Sequence, residues 1–180
     1  MHNSACRSFA KFLTTAITAI VFARTTTVFP ASAKENEAFP PKDDKLQSEF
    51  LLDLSLDAQT PQNLGSGAGG RLIVPVSGGI FTGPSLKGTI IPPGGDWIVQ
   101  RPDGSRVLDV RILLQTDDGQ KIYVSWRGIA YAPPGGAFNA RILPVFETAA
   151  SKYAWLNNVV AVGVYRPDLG KIAYRIYRIL

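Results

Sequence analysis

The chain has one cysteine, Cys6, and one histidine, His2, in 180 residues, both at its extreme N-terminus. If that terminus is removed, neither a thiol nor an imidazole remains. Disulfides within the domain, thiolate nucleophiles, Ser–His and Cys–His pairs, and zinc sites built on cysteine or histidine are then excluded. Oxygen ligands are the one protein-built option left for a metal, and no carboxylate spacing points to such a site, so the expectation is no metal and no cofactor. A long hydrophobic run is also missing. The apolar stretch 12–23 falls short of the roughly 20 residues that a helix needs to span a bilayer. A large net charge is missing as well. Arg7, Lys11 and Arg24 leave with the N-terminal segment, so the 19 basic residues fall to 16 against 14 acidic ones. That balance implies no polyanionic partner.

What the N-terminus does contain is the pattern of an export signal. Arg7 and Lys11 precede the apolar stretch, and Ala31-Ser32-Ala33 supplies a small-x-small cleavage pattern before Lys34. Val21-Phe22-Ala23 offers an earlier cleavage point, and the Thr-rich, acid-free composition also fits an organelle transit peptide. The expected location is periplasmic or secreted, with organelle targeting as the alternative. Residues 1–33 read as the signal peptide, 34–48 as a flexible leader with acids around Pro40-Pro41, and 49–180 as one domain. A domain of that size buries roughly two thirds of its unfolded surface, so its core holds it without staples.

The domain reads as all-β. Phe50, Leu52, Leu54 and Leu56 alternate with Leu51, Asp53, Ser55 and Asp57, the period-2 pattern of a half-buried strand. Further strands are expected at 71–76, 86–91, 97–100, 106–115, 121–128, 141–148, 158–165 and 171–179. Turn chemistry separates them: Pro92-Pro93-Gly94-Gly95, Pro102-Asp103-Gly104, Asp117-Asp118-Gly119, Pro133-Pro134-Gly135-Gly136 and Pro167-Asp168-Leu169-Gly170. Only 149–157 can hold a short helix. About nine strands with short connections and no βαβ spacing predict a single antiparallel β-barrel with at most one short helix, a closure that leaves no exposed edges.

One hairpin can be registered. A three-residue loop at Asp117-Asp118-Gly119, with Gly119 left-handed, puts Leu108, Val110, Ile112, Leu114, Ile122, Val124 and Trp126 on one apolar face. Asp109, Arg111, Tyr123, Ser125 and Arg127 then share the other, with Asp109 opposite Arg127 and Arg111 opposite Ser125. A two-residue turn at Asp118-Gly119 mixes the faces. Which face lines the barrel stays open at this level.

The run Gly65-Ser66-Gly67-Ala68-Gly69-Gly70 matches the G-x-G-x-x-G string of dinucleotide-binding folds. That fingerprint needs a helix N-terminus after it to hold the pyrophosphate, whereas a β-branched run follows here. The Tyr- and Arg-rich stretch 165–178 is also discounted as a nucleic-acid platform, because strand alternation divides its aromatics between two faces.

Gly78-Gly79-Ile80-Phe81-Thr82-Gly83-Pro84, Leu86-Lys87-Gly88, Gly94-Gly95-Asp96-Trp97, Asp109-Val110-Arg111, Thr116-Asp117-Asp118-Gly119 with Ile122-Tyr123, Arg127-Gly128, and Phe146-Glu147-Thr148 before Tyr153-Ala154-Trp155-Leu156 form an ordered series. In that series the chain resembles the domain of unknown function 3237, an uncharacterised protein family. The resemblance covers most of 50–180. It implies a small β-barrel domain and brings no reaction, cofactor or catalytic assignment.

Three groups of polar residues are candidates. Asp96 follows two glycines and precedes Trp97, where it is either a general base beside an aromatic face or a turn-capping residue. Asp109, Arg111, Tyr123 and Arg127 are either a ligand-lining set, with guanidiniums to hold a carboxylate or enolate, or a solvated sheet face. Glu147 shares a face with Arg141 and is either a partly buried proton-transfer group or an edge carboxylate. The expected catalytic set is Asp96, Glu147 and Asp109, and the expected ligand-binding set is Trp97, Arg111, Tyr123, Arg127 and Arg141. The functional expectation is an exported barrel that binds a small anionic or hydroxylated organic molecule, as a cofactor-free lyase or isomerase with Asp or Glu as base and Arg as oxyanion stabiliser. The alternative is a non-catalytic binding or oligomer-forming module. The partners expected are a small-molecule ligand and a second copy of the chain, with no nucleic acid and no membrane span.

Overall fold

The computed structural model describes residues 45–65 and 70–180. The signal segment 1–33, the leader as far as residue 44, and Ser66-Gly67-Ala68-Gly69 of the glycine-rich loop lie outside the described residues. The strands are β1 (Ser48–Ala58), β2 (Gln62–Asn63), β3 (Arg71–Thr82), β4 (Lys87–Gln100), β5 (Arg106–Thr116), β6 (Lys121–Tyr131), β7 (Asn139–Glu147), β8 (Ala161–Tyr165) and β9 (Ala173–Ile179). A 3-10 helix, Ser151–Asn158, lies between β7 and β8.

β1 pairs with both β9 and β3, which closes the sheet in the order β1-β9-β8-β7-β6-β5-β4-β3, while β2 pairs only with β3. Among the described residues the result is an 8-strand closed antiparallel barrel with one extra strand and one short helix. The all-β barrel expected from the alternating pattern is the fold observed. The glycine-rich loop follows β2, and Gly70 leads directly into β3 rather than into a helix, so the phosphate-binding context is absent there.

The β5–β6 hairpin adopts the three-residue register, with Asp109 opposite Arg127 and Arg111 opposite Ser125. Gly119 takes φ 82° and donates its N–H to Thr116 O at 2.8 Å. Val110, Ile112, Leu114, Ile122, Val124 and Trp126 are thereby buried, and this apolar face is the barrel interior. Two strands expected separately, 86–91 and 97–100, are one continuous strand. β4 passes through Pro92-Pro93-Gly94-Gly95 with register shifts against β5 between Ile91 and Gly95 and against β3 between Val76 and Ile80. Prolines lack the ladder N–H, so the strand bulges and bends there, and flanking pairings on both sides keep it from turning back.

The 3-10 helix packs against β7 and is tied to the β5–β6 turn. Its Tyr153 and Leu156 are buried and belong to the same core as Leu52, Phe81, Ile112, Leu114, Ile122 and Phe146. Asp118 of the β5–β6 turn binds Lys152, accepts from the Tyr153 hydroxyl at 3.1 Å, and also accepts from Thr116. The β1–β9 seam carries a bidentate pair, with Arg175 Nε and Nη2 donating to the two Asp53 oxygens at 2.7 and 2.8 Å.

Candidate functional site

The other half of the interior is open. A cavity of about 570 Å³ lies between the end of β1, the start of β3, the end of β4, the start of β5, the end of β6 and the start of β9. Small eight-stranded barrels have an interior wide enough for either packed side chains or one small ligand, and this one divides its interior between the two. Leu56, Val74, Val76, Ile98, Leu108 and Val110 give aliphatic walls, and Trp126, Tyr165 and Tyr174 give aromatic ones. Asp57, Gln59, Arg106 and Lys171 stand exposed around the same cavity.

Asp96 is a carboxyl set into this apolar wall. Val74, Asp96, Val110, Trp126 and Pro144 are successive partners across β3 to β7, so they form one layer pointing the same way. Alternation within β4 puts Asp96 on the same side as buried Ile98 and turns Trp97 outward. The β4–β5 ladder keeps its register between the pairs Asp96–Val110 and Val99–Val107 but lapses at the two positions between them. At that lapse the Asp109 backbone N–H donates to Asp96 Oδ1 at 3.1 Å. Burial pushes the Asp96 pKa up to about 6, against the lowering by the Asp109 amide and with a further raise from the Asp109 charge. A carboxyl so tuned can take and return a proton near neutral pH.

Tyr174 lies across the cavity, paired with Tyr165 on β8 and Leu54 on β1. Its ring meets Trp126 edge-on at 5.9 Å between centroids and Tyr165 at 6.1 Å. Burial first, and then the Asp96 charge, push the Tyr174 hydroxyl above the usual phenol range, so it stays protonated. Among the described residues Trp126 Nε1 is the buried side-chain polar atom with no hydrogen-bond partner. Phe138 stacks edge-on against Tyr165 at 5.2 Å beside the rim.

The structure gathers most of the other sequence candidates on the outer face of the wall. Asp109 Oδ1 is 3.3 Å from Arg111 Nη2, and Asp109 Oδ2 is 4.0 Å from Arg127 Nη2. The Arg111 guanidinium lies over the outward Trp97 ring at 5.3 Å. Tyr123 is on this face opposite Glu147, which is exposed, and Arg141 is exposed and donates to Asn139 Oδ1 at 3.0 Å and to Ala140 O at 2.9 Å. Asp96 is the one sequence candidate that lines the cavity. No group of three His, Cys, Asp or Glu suited to a metal is found among the described residues. No described helix is long and apolar enough to cross a membrane.

Residues 46–179 match a family described as Protein of unknown function (DUF3237). The chain belongs to that family. A solved family-like structure, a beta-barrel like protein from Acinetobacter baumannii, superposes with a TM-score of 0.70 at 34% identity, over 79% of this chain and 100% of that one. A UPF0311 protein of Clostridium acetobutylicum is 28% identical over 133 residues, which is 66% of this chain and 84% of the relative. A Penicillium herquei protein named as a hydroalkoxylation enzyme is 36% identical over 103 residues, 57% of this chain and 61% of the relative.

Family membership accounts for the barrel, while the cavity residues come from strand geometry. Trp126 was legible only as a member of an apolar face, Tyr174 only within the Tyr- and Arg-rich stretch 165–178, and Arg106 and Lys171 only as strand-end charges. The available signal was parity. Asp96 shares its face with Ile98, and Trp126 shares one with Ile122 and Val124, so each is a polar atom on an otherwise aliphatic inner face.

Proposed function

We propose that the barrel binds a small hydroxylated organic molecule in its open half, and that Asp96 moves a proton on that molecule in a cofactor-free addition or isomerisation. The observation that carries this reading is the Asp96 carboxyl itself, desolvated to a pKa of about 6 and facing a cavity of about 570 Å³. Burying a carboxyl costs stability, and perturbed groups in clefts concentrate at functional sites. Arg106 and Lys171 at the mouth suit a ligand with anionic character. Similarity to a protein named for hydroalkoxylation supports the same chemistry. Adding an O–H across a C=C relocates one proton from oxygen to carbon and exchanges no electrons, so a single acid–base group can serve it.

In this reading the outer-face arginines Arg111 and Arg127 do not touch the substrate. Arg106 is the arginine of the cavity mouth. The reading extends to export of the chain by the signal at 1–33, which fractionation of the native host tests: recovery of full-length chain in the cytosol contradicts it.

Native mass spectrometry of the chain purified from its host, followed by denaturing release, identifies any bound compound. With that compound, Asp96→Asn keeps binding and loses turnover if Asp96 is the proton-transfer group. A binding module shows unchanged binding and no turnover in either protein.

A further inference from the structure

We infer that the Tyr174 hydroxyl is a second catalytic group, the donor that holds a developing oxyanion opposite Asp96, and that the substrate is therefore a planar hydroxy-enone rather than an isolated alkene. This inference rests on the proton-transfer reading of Asp96.

Tyr174 is nearly buried, yet its hydroxyl forms no hydrogen bond with a described residue. Tyr174 lines the cavity together with Asp96, and the Asp96 charge acts on its hydroxyl. Edge-on contacts with Trp126 and Tyr165 on two sides fix the ring, so the donor is held in place before a ligand arrives. Preorganised donors of this kind act on charge that develops during reaction, and apolar walls around them strengthen the interaction.

Asp96 and Tyr174 together suit a carbonyl-conjugated double bond. The substrate hydroxyl gives its proton to the Asp96 carboxylate while its oxygen bonds to the β-carbon. The C=C electron pair moves towards the carbonyl oxygen, which becomes an enolate that accepts the Tyr174 hydrogen bond. Asp96 then returns the proton to the α-carbon and the carbonyl re-forms. One O–H bond and one π bond are replaced by one C–O and one C–H bond, with no oxidant or reductant. An isolated alkene places no oxygen where Tyr174 can stabilise charge. The aromatic walls of Trp126, Tyr165 and Tyr174 favour a flat, ring-bearing substrate.

The test uses the full chain with 2′-hydroxychalcone, whose ring closure to flavanone is this step, and with 2-allylphenol, which has the hydroxyl and alkene but no carbonyl. The expected result is accelerated, enantioselective closure of the chalcone and none of 2-allylphenol. Tyr174→Phe is expected to lower kcat about 100-fold, as loss of an oxyanion donor does, with KM changed less than about threefold. Asp96→Asn is expected to abolish closure. Full activity of Tyr174→Phe beside inactive Asp96→Asn overturns the Tyr174 role and leaves the Asp96 reading standing. Unchanged activity of both variants overturns both. Absence of any acceleration of the chalcone by the wild-type chain, or equal conversion of 2-allylphenol, overturns the substrate class.

Discussion

The carboxylates of Asp96 and Asp109 face opposite sides of one barrel wall, yet Asp96 Oδ1 accepts the backbone N–H of Asp109 at 3.1 Å. The inward carboxyl thus replaces a missing ladder contact between β4 and β5. The outward carboxylate is left to Arg111 and Arg127. Replacing Asp96 with Asn keeps an acceptor for that amide, whereas Ala removes it. Asp96→Ala is expected to cost about 1–3 kcal/mol more than Asp96→Asn by leaving the amide unpaired, as chemical denaturation of both variants will read.

The raised Asp96 pKa sets a pH dependence. Its folded value of about 6 lies above the ordinary 3.8. The folded chain therefore holds this proton more tightly than the unfolded chain, and the contribution is fully present below pH 3.8 and lost as pH rises through 6. Wild type should lose roughly 2–3 kcal/mol relative to Asp96→Asn between pH 4 and pH 7, at about 1.4 kcal/mol per pKa unit. Urea midpoints of the two proteins at those pH values measure the difference.

Asp118 behaves with the opposite sign. Lys152, then Thr116 and Tyr153, hold its carboxyl down at about 2. Its contribution is present above pH 3.8 and disappears as pH falls through 2. Asp118→Asn is expected to lower the Tm at pH 7, and the difference from wild type is expected to shrink as pH falls and to vanish only below pH 2, where protonation releases the clamp between the β5–β6 turn and the 3-10 helix.

Gly88 sits where β4 crosses close to β5. A Cβ at this position meets Gln115 O at 2.1 Å, and that atom is backbone. No side-chain rotation relieves the overlap. Gly88→Ala is expected to destabilise the barrel by about 2–3 kcal/mol or more. Gly119→Ala, where nothing lies within 4 Å but φ is 82°, should cost only about 1–2 kcal/mol for the left-handed backbone. Thermal melts of both variants test the ranking.

Inner and outer residues separate the two possible faces for a ligand. Arg111→Ala, Arg127→Ala and Glu147→Gln are expected to change the affinity for the compound released from the native protein by less than about twofold. Arg106→Ala should weaken an anionic compound by about two- to fivefold, the effect of one exposed charge at a mouth. Calorimetric titration of the four variants decides which side of the wall holds the ligand.

Strand alternation made most of this fold readable. The β5–β6 register followed from requiring both strands to keep their apolar residues on one face, and Asp109 lies opposite Arg127 as that requirement demands. Two similar strings had different outcomes. Pro133-Pro134-Gly135-Gly136 makes a turn, with Gly136 N–H donating to Pro133 O at 2.8 Å, while Pro92-Pro93-Gly94-Gly95 is a bulge inside β4. Local composition gives both the ability to bend, and only pairing with β3 and β5 keeps the second extended. The cavity was less legible for a related reason. Asp96 stood out as an acid next to glycines, but Tyr174 and Trp126 reach it from β9 and β6, and closure of the barrel, absent from any local pattern, brings these strands together.

Carboxyl ¹³C NMR of the chain, with Asp96→Asn to assign the resonance, reads the protonation of Asp96 directly. Asp96 is expected to titrate near pH 6. A midpoint near the ordinary 3.8 contradicts it, because the carboxyl is then solvated and is not poised for proton transfer inside the barrel.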